Sequence, residues 1–128
     1  MRLDFIIDGN NFDMAGEASS SVKQTLSKLG VSPPVIKRAA IAMYEAEINA
    51  FIHGGGGTAQ ADIDSDRIEI IVKDSGCGIA DLSLAMQERK MGFGAGMGLP
   101  NIKKNTDELE IRTGQGQGTE VRMVIDIK

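Results

Sequence analysis

One cysteine and one histidine among 128 residues exclude several kinds of chemistry at the outset. Cys77 has no partner for an internal disulfide, and with His53 as the lone imidazole no recognisable structural zinc site can be assembled. Basic charge is also in short supply. The formal charge is −4 and the pI about 4.9, so the cationic footprint of a nucleic-acid or anionic-membrane binder is missing. No stretch approaches the ~18 apolar residues of a membrane span. The opening Met-Arg-Leu-Asp-Phe-Ile-Ile-Asp is broken by acids too early for a secretory signal, and a cytoplasmic protein is expected. A Walker A loop is excluded because Gly-Lys-Ser/Thr occurs nowhere, and no Gly-x-Gly-x-x-Gly registers on residues 92 to 98. The length suits one domain over residues 1–128, with a real core but no separate substrate domain.

What the chain does contain is a regular succession of short periodic segments. Leu3, Phe5 and Ile7 alternate with Asp4, Ile6 and Asp8 as an opening strand, ended by Gly9. From Ala15 to Leu29, Val22, Leu26 and Leu29 fall at helical spacing behind serines able to cap, and Gly30 is a natural stop. Pro33 and Pro34 begin a second helix in which Ile41, Tyr44, Ile48, Phe51 and Ile52 recur at intervals of three and four. Gly54 to Gly57 is expected to end it as a flexible turn. Residues 59–64 and 67–73 read as a hairpin joined by Ser65 and Asp66. Beyond a glycine-rich segment, Pro100 suits the first turn of a helix running to Asn105, and two more strands surround Gly114 to Gly118. Neighbouring strands with helices grouped elsewhere favour an α+β two-layer sandwich.

Three short stretches carry the chemistry. In Glu45-Ala-Glu-Ile-Asn49 the glutamate falls about 20° from Ile52 around the helix, at the edge of the apolar stripe, with Asn49 one turn further on. A carboxylate there can take a proton from an attacking hydroxyl or water, and an amide oxygen is a hard ligand suited to Mg²⁺. Taken alone, such a pair more often describes solvated helix charges, with Glu45 paired to Lys37 or Arg38, and Glu47 is given that surface role here. Asp74 closes the run Ile68-Glu-Ile-Ile-Val-Lys at a strand end, followed by Gly76 and Gly78. Its carboxylate can accept a hydrogen bond from an exocyclic amine such as adenine N6, although Asp-Ser-Gly is also an ordinary turn. Cys77 packs there or, beside a bound base, offers a redox handle. The ladder Gly92-Phe-Gly-Ala-Gly-Met-Gly98 places glycines on alternate positions directly before a helix, a backbone that can wrap phosphates.

In this order the three stretches resemble the boxes of the Bergerat-fold ATPases shared by gyrases and histidine kinases: Glu-x-x-x-Asn, Asp-x-Gly-x-Gly-Ile and a glycine-rich third box. The likeness covers nearly the whole chain. Within that superfamily it is most similar to the small anti-sigma-factor serine/threonine kinases, through the strand and helix before the first box, Asn49-Ala-Phe-Ile-His53-Gly54 and Ala85-Met-Gln87. The resemblance implies ATP and Mg²⁺ as cofactors, Asn49 on the metal and Glu45 as catalytic base. It further implies Asp74 on the adenine with Gly76, Gly78 and Ile79 around it, Gly94, Gly96, Gly98 and Leu99 near the phosphates, and Thr119 as an outer adenine contact. A mixed, mostly antiparallel sheet covered on one face by helices is the implied fold. His53 is not a phosphoacceptor on this reading, since histidine kinases carry that residue on a separate dimerisation helix, and a helix-end role is expected instead.

Two departures bear on turnover. Only 13 residues separate Gly78 from Gly92, so either Arg89 and Lys90 still reach the terminal phosphate or the lid is too short to enclose a phosphoryl transfer. The glycine ladder is longer than the usual Gly-x-Gly. Three functions therefore stand: a protein serine/threonine kinase that binds a sigma factor or an antagonist protein in a partner-switching pathway, a nucleotide-switched binding module that transfers no phosphate, and a catalytic domain serving a histidine kinase in trans. By analogy, a homodimer through the sheet edge near the first strand is a further expectation.

Overall fold

A computed structural model describes residues 1–11, 13, 15–74, 76, 98–113 and 118–127. The elements are β1 (Arg2–Asp8), α1 (Glu17–Lys28), α2 (Pro33–Ile52), β2 (Gly56–Ile63), β3 (Arg67–Asp74), α3 (Leu99–Lys104), β4 (Glu108–Thr113) and β5 (Thr119–Asp126). The strands form one sheet in the order β1-β2-β3-β5-β4. All four ladders are antiparallel, the antiparallel end of the mixed, mostly antiparallel sheet expected.

Alternation decides which face is covered. Ala59, Ala61 and Ile63 of β2, Ile68, Ile70 and Val72 of β3, and Val121, Met123 and Ile125 of β5 are buried in one cluster with residues of the three helices. The opposite face is largely polar, Ile6, Ile71 and Val124 apart, and carries ion pairs such as Arg122 with Glu69 at 2.6 Å and Lys73 with Glu120 at 3.3 Å. The β2–β3 hairpin turns on Asp64, whose Oδ1 accepts the backbone N–H groups of Asp66 at 2.8 Å and Arg67 at 2.9 Å. Those two donors hold its carboxyl below the usual aspartate range. No described helix is long and apolar enough to cross a membrane.

Three local expectations are corrected. The buried stripe of α2 is Ile36, Ala39, Met43, Ala46 and Ala50, whereas Tyr44 and Ile52 are 48% and 62% exposed. Alanines let the backbone of α2 approach both the sheet and α1, so its larger apolar residues are pushed to the flanks. Secondly, Gly56 and Gly57 belong to β2. A Cβ on Gly57 would lie 1.9 Å from the carbonyl oxygen of Lys73, so glycine is what permits the strand to close there. Thirdly, the serines do not cap α1. Ser19, Ser20 and Ser21 lie inside the helix, and its N-cap is Gly16 at φ +90° with no side-chain cap. The cap comes from α2 instead: Glu47, 2% exposed, accepts the N–H groups of Ala18 and Ser19, each at 3.0 Å. Glu47 is therefore a buried tie between helices, not the solvated charge expected of it.

Candidate functional site

Glu45 and Asn49 lie one turn apart on the C-terminal half of α2, both half-buried. The Glu45 carboxylate rests against the backbone that begins α3. A Cβ built on Gly98 would fall 1.6 Å from Glu45 Oε2 and 2.7 Å from its Cδ, and Gly98 has φ +66°. Only glycine satisfies both conditions, so the first and third boxes of the sequence meet at this contact. Among the described residues the Glu45 carboxylate has no hydrogen-bond or ion-pair partner, and the pairing with Lys37 or Arg38 is not formed.

The second contact lies just past the end of α2. His53 is its C-cap, as expected of a helix-end residue, donating its backbone N–H to the carbonyl of Asn49 at 2.9 Å. Gly54 follows and lies flat against Asp74: a Cβ there would be 2.4 Å from both Cβ and Cγ of the aspartate. Gly76 closes the other side, donating its N–H to Asp74 Oδ1 at 2.9 Å. A side chain on Gly76 would be driven to 2.6 Å from the Cα of Gly54. Asp74 is thus locked between two glycines with its second oxygen, Oδ2, uncommitted among the described residues.

Beside it, Asp74 of β3 pairs in register with Thr119 of β5, and Thr119 with Thr113 of β4. Paired residues project to the same face, so the three side chains form a row at one end of the sheet. They line a cleft of about 340 Å³ with Lys73, Arg112 and Glu120 at its rim. That volume is within the ~300–1,000 Å³ common for small-ligand sites. Glu45 opens on a separate groove of about 490 Å³ between α1 and α2, where Lys23, Tyr44 and Asn101 also lie.

The described structure thus brings together Glu45 with Gly98 and, separately, Asp74 with Gly76 and Thr119, while Leu99 is buried as the first residue of α3. Gly78, Ile79, Gly94 and Gly96 lie outside the described residues, as do Cys77, Ala85 to Gln87, Arg89, Lys90 and the expected lid. Sequence reasoning missed Gly54, Thr113 and Glu47. Gly54 could have been found from its place directly after Asn49-Ala-Phe-Ile-His53, because a glycine at that point permits a strand end to approach the helix. Thr113 carried a weaker signal, a hydroxyl six residues before Thr119 in the chain. Among the described residues no cluster of three or more His, Cys, Asp or Glu could hold a metal ion. The fit to a nucleotide rests on donor chemistry: a carboxylate oxygen uncommitted among the described residues beside a hydroxyl at one contact, and at the other a carboxylate against a glycine backbone.

Residues 11–125 match the family described as histidine kinase-like ATPase domain. The serine/threonine-protein kinase RsbT of Bacillus subtilis is 29% identical over 110 residues, covering 80% of each chain. An anti-sigma F factor of a Thermoanaerobacter species is 34% identical over 135 aligned positions, covering 96% of this chain and 90% of its own. Among solved structures, the RsbU and RsbW domains of Rv1364c from Mycobacterium tuberculosis superpose with a TM-score of 0.69 at 20% identity. That match covers 98% of this chain and 32% of the longer one, and the likeness is one of fold.

Proposed function

This chain belongs to the histidine kinase-like ATPase domain family, and on that premise we propose that it is an ATP- and Mg²⁺-binding regulator acting as an anti-sigma-type protein serine/threonine kinase in a partner-switching pathway. The observation that carries the reading is the locking of Asp74 between Gly54 and Gly76 beside Thr119, with the Glu45 carboxylate held against Gly98. Asp74 Oδ2 accepts a hydrogen bond from the adenine amine, and Thr119 flanks it. Asn49 would hold Mg²⁺ through its amide oxygen, Gly98 and Leu99 would border the phosphates, and the family resemblance assigns Gly94 and Gly96 to the phosphates and Gly78 and Ile79 to the base. ATP supplies the phosphoryl group, and its metal offsets charge on the phosphates. Glu45 accepts the proton of a serine or threonine hydroxyl on the partner as that oxygen bonds to phosphorus and the bond to ADP breaks.

The partner is a protein, a sigma factor or its antagonist, in keeping with the names of the relatives. We place the protein in the cytoplasm as a single domain over residues 1–128, with a homodimer through β1, an outer strand of the sheet. A second reading, a nucleotide-switched binding module without phosphoryl transfer, is favoured by the 13-residue spacing between Gly78 and Gly92. Calorimetric titration with ATP and ADP, with and without Mg²⁺, while ATP loss is followed in the same samples, tests both. Micromolar magnesium-dependent binding is expected, and radiolabel passing from γ-labelled ATP to a co-purified partner separates kinase from switch. Absence of nucleotide binding overturns both readings.

A further inference from the structure

We infer that Thr113 is a positioning residue that sets base specificity, by fixing the hydroxyl of Thr119 as a pure acceptor toward the cleft. The inference rests on the nucleotide reading of that cleft. Its origin is a count of protons. Thr113 Oγ1 lies 3.2 Å from the carbonyl oxygen of Gly118 and 3.0 Å from Thr119 Oγ1. A carbonyl can only accept, so the one hydroxyl proton of Thr113 is donated to Gly118. The contact between the two threonines is then a hydrogen bond only if Thr119 is the donor. Its single proton is spent on Thr113, and its oxygen can offer nothing but lone pairs to a ligand.

Asp74 is in the same condition. Oδ1 is occupied by the N–H of Gly76, and a carboxylate has only acceptors to present at Oδ2. Lys73 and Arg112 alternate with Asp74 and Thr113 along their strands and so project to the opposite face of the sheet, where Lys73 is paired with Glu120 at 3.3 Å and Arg112 with Glu110 at 3.1 Å. The side chains of the row therefore present two acceptors side by side, which suits the amino edge of a 6-aminopurine. A 6-oxopurine would bring its keto oxygen against two oxygens. Without the Thr113 hydroxyl, the proton of Thr119 is free to rotate into the cleft and donate to that keto oxygen. Discrimination between the bases then weakens although Asp74 and Thr119 are both still present.

Binding of ATP and GTP is measured by calorimetry for the parent, Thr113→Val and Thr113→Ser. The valine variant should narrow the ATP-over-GTP preference by about five- to tenfold, the scale of one neutral hydrogen bond, and the serine variant should restore it. A merely structural role would weaken both nucleotides together and leave their ratio unchanged. An unchanged ratio in Thr113→Val, with ATP still bound, overturns this inference alone. Absence of ATP binding to the parent overturns the nucleotide reading and this inference with it. Should the valine variant fail to fold, Thr113→Ala removes the same hydroxyl at an outer-strand position without added bulk, and the same ratio decides.

Discussion

Replacing Glu47 by alanine is expected to lower the stability of the protein by about 3 kcal/mol, a large effect for one charged residue on a helix. The carboxylate is 2% exposed and accepts two backbone N–H groups at 3.0 Å, those of Ala18 and Ser19, which are themselves in buried residues. Without it, two donors of the first turn of α1 lose their acceptors, at roughly 1–3 kcal/mol each. Loss of the favourable charge at a helix N-terminus adds about 0.3–1 kcal/mol. Relief of the desolvation borne by a buried carboxylate, worth several kcal/mol, offsets part of this sum. Urea denaturation followed by circular dichroism measures the remainder. With a slope near 2 kcal/mol per molar, the midpoint should move down by about 1.5 M at unchanged slope. Glu47→Gln should lose somewhat less, because it keeps one acceptor but turns an amide N–H₂ toward a backbone donor. The internal control is Glu45→Gln, two positions away and without a partner among the described residues, expected to lie within about 0.5 kcal/mol of the parent. A midpoint for Glu47→Ala indistinguishable from that of Glu45→Gln would refute the tie between the helices.

Further outcomes follow from the site and the sheet. Glu45→Gln should leave ATP affinity near normal and slow phosphoryl transfer by about 10²- to 10⁴-fold, and an undiminished rate removes Glu45 from the role of base. Asn49→Ala should abolish the magnesium dependence of ATP binding with little loss of folding, a result checked by calorimetry with and without the metal; equal affinities reject the assignment. Gly54→Ala forces a methyl group to within 2.4 Å of Asp74 and should displace it, weakening ATP binding more than tenfold. Asp107 has its pKa held down by the backbone N–H of Asp126 and then by the Arg38 guanidinium. A folded-state pKa below the unfolded value stabilises the fold above about pH 4 and ceases to do so as pH falls through the folded pKa. Asp107→Asn should therefore lose less stability than the parent when pH is lowered from about 5 to 3, and parallel losses in the two proteins would exclude the carboxylate.

The alternation in β1, the isoleucines of β3, the prolines opening α2 and α3, and Gly30 after α1 were all legible because each is a local preference acting on its own segment. Gly30 lies at φ +79°, and the N–H of Val31 reaches back to the carbonyl of Leu26 at 3.1 Å, a helix stop written entirely in neighbouring residues. Features that depend on two distant segments were not legible. The start of β2 at Gly56 is set by close approach to Ile7 and Lys73 from two other strands, and in isolation the same glycines read as a turn. The N-cap of α1 was sought among adjacent serines because capping is usually local, whereas the acceptor lies 29 residues away, on α2. The face of α2 was misjudged for a related reason: large apolar residues mark a buried stripe on a surface helix, but a helix wedged between a sheet and another helix selects alanine. For the candidate site, order along the chain was enough to nominate Glu45, Asn49, Asp74 and Thr119. It could not reveal that Gly54 backs Asp74, or that a neighbouring threonine disposes of the proton of Thr119.

Glu45 and Glu47 make the limit concrete. They are identical residues separated by one alanine, and nothing in their immediate sequence assigns them different roles. Two positions on a helix are ~200° apart, so if one side chain looks into the cleft the other must look away from it. On a helix exposed on its far side, the second glutamate would be solvated. Here α1 covers that side, and the second carboxylate survives burial only because the first turn of α1 brings two unsatisfied N–H groups to it. The same rotation that leaves Glu45 facing the groove therefore commits Glu47 to holding α1 in place. Because α1 also walls the groove onto which Glu45 opens, through Ser19, Ser20 and Lys23, the buried glutamate fixes the shape of the approach to the half-buried one.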